Sequence, residues 1–239
     1  STNTCHPSLA NNELSGPLVA AFLARRLAAW PRRRLTYRFV YLPETIGSIT
    51  YLHLRGDHLK AKMVAGYQIV CVGIDHPFVY ERSRRDNSLA DRAALFTLRQ
   101  RYEDAFEARE FRPNWGSDAR QYGSPGVDLP LGSIMRSVYD EYPEYHTSLD
   151  NRELVSFQAT VETVDLCESV LRCLDVNNVY LNLRPHGEVQ LGKLGLYPPM
   201  GNYQENLDQV AAILWLLNLA DGSSDLIAIS DRSGVDIRL

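Results

Sequence analysis

The chain has 239 residues, of which 45% are hydrophobic and 23% are charged, and its formal net charge at pH 7 is -4. This length and apolar content suffice for one sizeable hydrophobic core with an appendage. Because acidic residues outnumber Lys and Arg, the chain has no excess of positive charge with which to bind a polyanion, and nucleic acid is not expected as a partner. No apolar run approaches the roughly 18 residues that a membrane-spanning helix needs, so a membrane is not expected as a partner either.

Taken in chain order, the apolar periodicity predicts alternating helices and strands up to residue 175. Helical spacing and start signals predict helices at 15–30, 44–54, 88–105 and 156–174. Aromatic and β-branched content predicts strands at 35–42, 63–74 and 129–137. The segment 63–74 is apolar almost throughout, which is typical of a strand that is covered on both faces of a largely parallel sheet. The alternation therefore predicts an α/β layered fold.

The amino-acid composition changes after Asp175, where Gly, Pro and Asn become frequent. We therefore predict two domains, an α/β domain over 1–175 and a C-terminal region over 176–239. The C-terminal region begins with an irregular connector. An apolar helix at 206–222, a second helix and the start of a third after Gly234 then give a helix-turn-helix signature. We expect the N-terminal part of the α/β domain to be missing and the third helix to be truncated.

The four cysteines favour a reducing compartment. They are widely spaced and form no CxxC pair: Cys5, Cys71, Cys167 and Cys173. We therefore expect free thiols and a cytoplasmic location, without a structural zinc knuckle.

Three predicted loops at strand ends carry side chains that metal sites use, because open α/β sheets place their ligands at the carboxyl edges of the strands. His6 and Asn12 lie in the first loop, Glu44 follows the strand at 35–42, and His146 lies in the third loop. The third loop also holds three acidic residues: Glu141, Glu144 and Asp150. Each candidate has an ordinary structural alternative. His6 could be a hydrogen-bonded loop histidine, Glu44 a carboxylate that interacts with a helix dipole, and His146 part of a helix-capping loop. These alternatives stay open on spacing alone.

Four motifs in a fixed order carry a resemblance to a known family: "CHPSLANNELSG", "PETIGS", "GSDARQYGSPGVDLP" and "EYPEYHTSLD". Together they resemble the bacterial aminopeptidase-like zinc exopeptidases, in the branch associated with polysaccharide biosynthesis. The segments "YLNLRPHGEVQLGKLGLY" and "LLNLADGSSDLIAISDRSG" resemble the connector and the C-terminal winged-helix region of that branch. The resemblance implies a three-layer α/β/α zinc-exopeptidase fold with a small C-terminal helical, winged-helix-like region.

The resemblance also implies site residues. His6 and His146 match metal ligands, and the Asp ligand of the relatives falls on Asn12. Two consecutive glutamates, one a base and one a ligand, are replaced by Glu44 and Thr45. Two further positions match residues that line the site, Cys71 and Asp118, and the relatives' second histidine is replaced by Asn3.

These departures limit the metal that we expect. Two adjacent zinc ions repel each other strongly, and a bridging carboxylate offsets much of that repulsion. Asn12 is neutral and stands where the resemblance implies the bridging Asp, so it would bind a metal more weakly. We therefore predict at most one zinc ion, held by His6, His146 and Glu44. Because Glu44 cannot easily bind the metal and also take the proton, the base would have to come from one of three other residues: Glu141, Glu144 or Asp118.

Two functions stay open at this point. One is a zinc-dependent aminopeptidase-like hydrolase of peptide or amide bonds, acting on a small amine-bearing substrate that the acidic third loop would hold. The other is a non-catalytic binding or scaffold protein that retains the fold. Nucleic-acid binding by the tail is disfavoured because residues 219–239 hold four aspartates and only two arginines. The zinc hypothesis requires His6 and His146 to meet at the rim of the sheet.

Overall fold

The computed structural model describes residues 1–196 and 203–236, with side chains described from residue 207 in the second range. The chain divides into two compact units, residues 1–171 and 172–239. None of the helices in the described residues is long and apolar enough to cross a membrane.

The first unit contains a sequence of short strands and longer helices. A π-helical turn, Ala10–Leu14, leads directly into its first α-helix. The elements in chain order are β1 (Thr2–Asn3), α1 (Ser15–Ala28), β2 (Tyr41–Leu42), α2 (Ile46–Lys62), β3 (Gly66–Ile69), β4 (Phe78–Glu81), α3 (Leu89–Tyr102), β5 (Phe106–Arg109), α4 (Ala119–Tyr122), β6 (Leu131–Met135) and α5 (Phe157–Val176).

A four-stranded sheet in the order β3-β6-β4-β5 forms the centre of this unit. The pairs β3/β6 and β4/β5 are parallel, and β4 and β6 join them in antiparallel register. Every residue of β4 and of β6 is buried, including the polar residues Glu81 and Ser133, as is typical of strands covered on both faces. The predicted α/β class is confirmed, but the sheet is mixed rather than largely parallel.

Several predicted elements differ in extent from those in the structure. The strand expected at 35–42 is reduced to Tyr41–Leu42, which pairs with Thr2–Asn3. The strand expected at 63–74 ends at Ile69, and Cys71 adopts a positive φ of 50°. Its carbonyl accepts hydrogen bonds from the backbone of Arg136 and Ser137, so the later apolar residues form a buried turn. The strands β4 and β5 were not predicted, because four-residue strands give too short an alternation to detect.

The second unit combines two helices with a small sheet. Its elements are β7 (Val179–Leu181), a 3-10 turn (Leu191–Leu194), α6 (Tyr203–Leu219), β8 (Asp221–Asp225) and α7 (Leu226–Ser233). The strands β7 and β8 are antiparallel. Asp225 caps α7 by accepting a hydrogen bond from the backbone N–H of Ala228 at 3.0 Å. The two predicted helices are present, and the region expected to be an irregular connector contributes β7. Most of the predicted third helix, 237–239, lies outside the described residues.

Candidate functional site

Two imidazoles from distant parts of the chain meet at one surface of the first unit. The ring centroids of His6 and His146 are 4.7 Å apart. His146 has a positive φ of 55°, and its ring stacks on Tyr145 at 3.9 Å with an interplanar angle of 13°. A positive φ is uncommon for a residue other than glycine and costs backbone free energy. The loop therefore holds His146 in a defined orientation beside His6.

A buried carboxylate that was not predicted lies under His6. Oε1 of Glu13 is 3.3 Å from Nδ1 of His6, and the Glu13 side chain is only 2% exposed. Its Oε2 accepts a hydrogen bond from the backbone N–H of Cys5 at 2.7 Å. Glu13 therefore fixes both the loop and the ring, leaving Nε2 of His6 for other partners. The only sequence signal for this role is its place in "NNELSG", one residue after the candidate ligand Asn12.

Asn12 is held by contacts at both ends of its side-chain amide. Its Oδ1 accepts a hydrogen bond from the thiol of Cys71 at 3.3 Å, and its Nδ2 donates to Oε1 of Glu13 at 3.3 Å. Burial raises the pKa of Cys71, so this thiol keeps its proton and acts as a donor. Asn12 itself is 6% exposed. The Asn12 amide is thus part of a buried hydrogen-bond network, and its oxygen already accepts a hydrogen bond from Cys71.

Asp150 connects the loops that carry the two histidines. Its Oδ1 accepts from the backbone N–H of Asn11 at 2.6 Å, and its Oδ2 accepts from that of Asn12 at 3.0 Å. The hydroxyl of Tyr142 donates to Oδ2 at 3.4 Å. Because Asp150 follows His146 by four residues and Asn11 follows His6 by five, these bonds bring the two imidazoles together.

The "PETIGS" loop is held by Asp118. Thr45 has a φ of 60°, and its backbone N–H donates to Oδ1 of Asp118 at 2.7 Å. Ser48 donates its hydroxyl to the same oxygen at 2.8 Å. Asp118 is fully buried and its other oxygen, Oδ2, has no hydrogen-bond partner among the described residues. Burial raises the pKa of Asp118, although these donors oppose the shift. Asp118 therefore positions the loop that carries Glu44.

The contacts of the remaining predicted residues are with partners other than the imidazoles. The backbone N–H of Glu44 donates to Sγ of Cys5 at 2.7 Å, but no hydrogen bond or ion pair joins the Glu44 carboxylate to either histidine within the described part of the chain. Glu144 is half-buried, and its carbonyl accepts from the backbone of Thr147. Glu141 pairs with Arg109 at 2.5 Å, and this hydrogen bond lowers the pKa of the Glu141 carboxyl.

The described side chains do not complete a catalytic zinc site. Such a site needs three protein ligands and an open position. Among the side chains that the structure describes, those of residues 1–196 and 207–236, no three or more of His, Cys, Asp or Glu are grouped so that they could hold a metal ion. His6 and His146 supply two nitrogens, whereas the Glu13 carboxylate is shared among His6, Cys5 and Asn12. The structure therefore provides an imidazole pair without a third ligand in place.

Comparison with known proteins identifies the family. Residues 1–177 match the model of a domain of unknown function, DUF4910. The chain belongs to this family. Residues 178–238 match a winged helix-turn-helix model, which confirms the winged-helix region predicted at the C-terminus.

A curated relative and a crystal structure, both from Clostridium acetobutylicum, resemble this DUF4910 chain over 99% of its length. One, 37% identical over 237 residues, is named as a polysaccharide biosynthesis protein with an aminopeptidase-like domain, and the match covers 54% of it. The other is a crystal structure titled as a peptidase, with a TM-score of 0.86 and 35% identity, of which 52% is covered. The chain therefore spans about half the length of these relatives.

A zinc aminopeptidase from Bacillus subtilis, BSAP, resembles the chain more distantly. It has a TM-score of 0.59 and 19% identity, and the match covers 71% of this chain and 44% of the enzyme. At this identity the likeness concerns the fold alone. The predicted resemblance to the aminopeptidase-like family is confirmed by these relatives together.

Proposed function

We propose that this chain is an aminopeptidase-like domain that binds a small amine-bearing peptide or amide at the His6–His146 surface without hydrolysing it. The observation that carries the proposal is the engagement of Asn12. At the position where the family resemblance implies an Asp ligand, this chain has a neutral amide whose oxygen accepts a hydrogen bond from the Cys71 thiol. An amide brings no charge to offset a divalent cation, so a two-metal centre is not supported.

The charges around Cys5 support an amine-bearing ligand. Burial is the main cause that raises the pKa of the Cys5 thiol, and three nearby carboxylates raise it further: Glu13, Glu44 and Asp118. Negative charge concentrated at a partly buried loop favours a cation beside it. Charge-assisted hydrogen bonds from an ammonium group to such carboxylates are among the stronger polar contacts in proteins.

A hydrolase with a single zinc ion is the second candidate, and the imidazole pair favours it. Metal-bound histidines usually donate their second ring N–H to a carboxylate, which is the place that Glu13 takes beside Nδ1 of His6. In this version His6, His146 and Glu44 would hold the zinc.

Zinc content and hydrolysis distinguish the two candidates. We expect the purified chain to hold well below one zinc per molecule, to leave aminoacyl p-nitroanilides intact and to bind a non-hydrolysable aminoacyl amide in calorimetry. Glu13→Gln should weaken that binding, while Glu153→Gln, an exposed control, should not. One zinc per chain that both His6→Ala and His146→Ala remove, with chelator-sensitive hydrolysis, would instead establish the second candidate.

We also infer that the winged-helix unit does not bind nucleic acid and that the protein is cytoplasmic. Asp221 accepts hydrogen bonds from Ser223, and Asp225 caps α7, so both carboxylates belong to the β8–α7 segment itself. Negative charge on this segment repels a phosphate backbone. The described cysteines are free, which is typical of a reducing compartment. A gel-shift assay with duplex DNA at low salt tests the first inference.

A further inference from the structure

Two helices of the first unit, α1 and α5, are joined side by side by polar contacts. Arg26 of α1 forms ion pairs with Asp165 and Glu168 of α5. Four residues further along the chain, the indole N–H of Trp30 donates a hydrogen bond to Oε1 of Glu168 at 3.0 Å. The contacts therefore advance along both segments together, which indicates that α1 and α5 run in the same direction.

Large apolar side chains are exposed in the two turns that precede the Arg26–Asp165 ion pair on each helix. Residues four apart lie on the same side of a helix, so these positions continue the line of the polar contacts. Two of the side chains lie on α1 and two on α5: Phe22 (48% exposed), Leu18 (38%), Val161 (47%) and Phe157 (70%). We call these four residues the α1–α5 face. Single exposed apolar residues are ordinary, whereas a group of them on adjacent helices marks an interaction surface.

Positive charge without acidic partners lies at the C-terminal end of α1. Residues 14–43 include six arginines and no Asp or Glu. Arg25 follows Phe22 by three residues, which places it on the same side of α1, and Arg32 lies shortly after the helix ends. Both arginines are exposed, and no carboxylate among the described residues forms an ion pair with either. One end of the α1–α5 face is therefore bordered by uncompensated positive charge.

The combination of an apolar face and a positive end determines the kind of partner. A third helix can pack on two parallel helices, with its side chains in the grooves between theirs. Acidic residues are favoured in the first turn of a helix, where the helix dipole is positive, and carboxylates pair with arginine. A helix that runs antiparallel to α1 would bring its first turn to Arg25 and Arg32. An anionic membrane is a poorer match, because the net charge of -4 opposes the approach of the chain.

We propose that the α1–α5 face binds an amphipathic helix of a partner protein, which lies antiparallel to α1 and has an acidic first turn. The apolar side of this helix packs on the four exposed apolar residues, and its first-turn carboxylates pair with Arg25 and Arg32. Apolar burial supplies most of the affinity, whereas the charges set the direction of the helix and the choice of partner. The proposal does not depend on what His6 and His146 bind.

Two synthetic peptides of about 18 residues, long enough to form a helix, test the proposal with the full chain. Both carry leucines at helical spacing; one has three glutamates in its first turn and the other has three lysines. Fluorescence anisotropy should show saturable binding of the glutamate peptide with a Kd on the order of 10 μM, and binding of the lysine peptide should be at least about tenfold weaker. Phe22→Ser should weaken the glutamate peptide at least about tenfold, because it removes apolar contact area. Leu54→Ser, a change at a 68% exposed residue of α2, is the control and should leave binding unchanged.

Reversing the charge on the protein separates specific pairing from general damage to the fold. Arg25→Glu with Arg32→Glu should exchange the preference, so that the lysine peptide binds more tightly than the glutamate peptide. A variant that had merely unfolded would bind neither peptide. Arg55→Glu with Arg184→Glu changes the net charge by the same amount at two other exposed arginines, and this variant should keep the preference for the glutamate peptide.

Four results would overturn the proposal. One is the absence of saturable binding of the glutamate peptide up to about 1 mM, and another is equal binding of the two peptides by the parent chain. In the third, sedimentation velocity finds a dimer that Phe22→Ser dissociates, which would assign the face to a second copy of the chain. In the fourth, the chain floats with phosphatidylglycerol vesicles and Phe22→Ser prevents this, which would assign the face to a membrane.

Discussion

The Nδ1 atom of His6 lies 3.3 Å from Oε1 of Glu13, and the two side chains differ sharply in exposure, at 45% and 2%. A buried acid therefore orients an accessible base. The same carboxylate accepts from the backbone of Cys5 and from the amide of Asn12, so the first loop is organised around Glu13. This carboxylate follows by one residue the position at which the family resemblance implies an Asp ligand.

Replacing Asn12 with Asp should increase zinc binding. The substitution Asn12→Asp puts a carboxylate where the resemblance implies a metal ligand, and it leaves in place Glu13, which orients His6. We expect at least a tenfold gain in zinc affinity by calorimetry, because an ionised oxygen replaces a neutral amide oxygen. Asn87→Asp, which adds the same charge at an exposed position, is the control. An unchanged affinity in the Asn12→Asp variant would mean that position 12 does not reach the metal.

Asp150→Asn should destabilise the first unit by about 2–3 kcal/mol. The substitution removes the charge from two backbone hydrogen bonds and places an amide N–H₂ where an acceptor is needed. Urea unfolding followed by circular dichroism measures the loss. The exposed Glu153→Gln should change stability by less than about 0.5 kcal/mol. Equal stability of both variants would show that Asp150 does not hold the two loops together.

Glu81 should make the chain less stable as the pH rises from about 4.5 to about 7. Its pKa is raised from 4.5 to about 7 in the folded protein, chiefly by burial, so between these values the folded state binds more protons than the unfolded state. The free energy of unfolding should fall by at most about 3 kcal/mol across this window. Glu81→Gln should lose this component. Urea unfolding at a series of pH values gives the free energy of unfolding of the parent and of Glu81→Gln, and the difference between the two isolates the contribution of Glu81. A difference that does not change with pH would contradict this prediction.

Two glycine substitutions should change stability in opposite directions. A Cβ at Gly16 would overlap the backbone carbonyl oxygen of Ile69 and the hydroxyl of Thr2, so Gly16→Ala should cost about 1–3 kcal/mol. Gly56 lies inside α2 with no neighbouring atom within 4 Å of such a Cβ, so Gly56→Ala should stabilise by about 0.5–1 kcal/mol. Thermal unfolding of both variants checks the pair. A stable Gly16→Ala would mean that α1 can move away from β3.

Helices were easier to predict than short strands, for a physical reason. Ser88 and Asp91 form a capping box at the start of α3, and this local signal suffices to place the helix. By contrast, β4 and β5 have four residues each and pair with strands far away in the chain. Their strand conformation depends on neighbours that local periodicity does not describe.

The amino-acid sequence by itself determined the α/β class, the principal helices, the winged-helix region and the family, because these depend on local periodicity, capping and long motifs. Only the tertiary structure decided that Asp150 joins the two histidine loops, that Glu13 orients His6 and that Asn12 faces Cys71. Some of these contacts join residues that are far apart in the chain and meet only in the folded protein. The others depend on the π-helical turn Ala10–Leu14, which sets the directions of the Asn12 and Glu13 side chains. Side-chain direction and burial, which set their chemistry, exist only once the loops are packed.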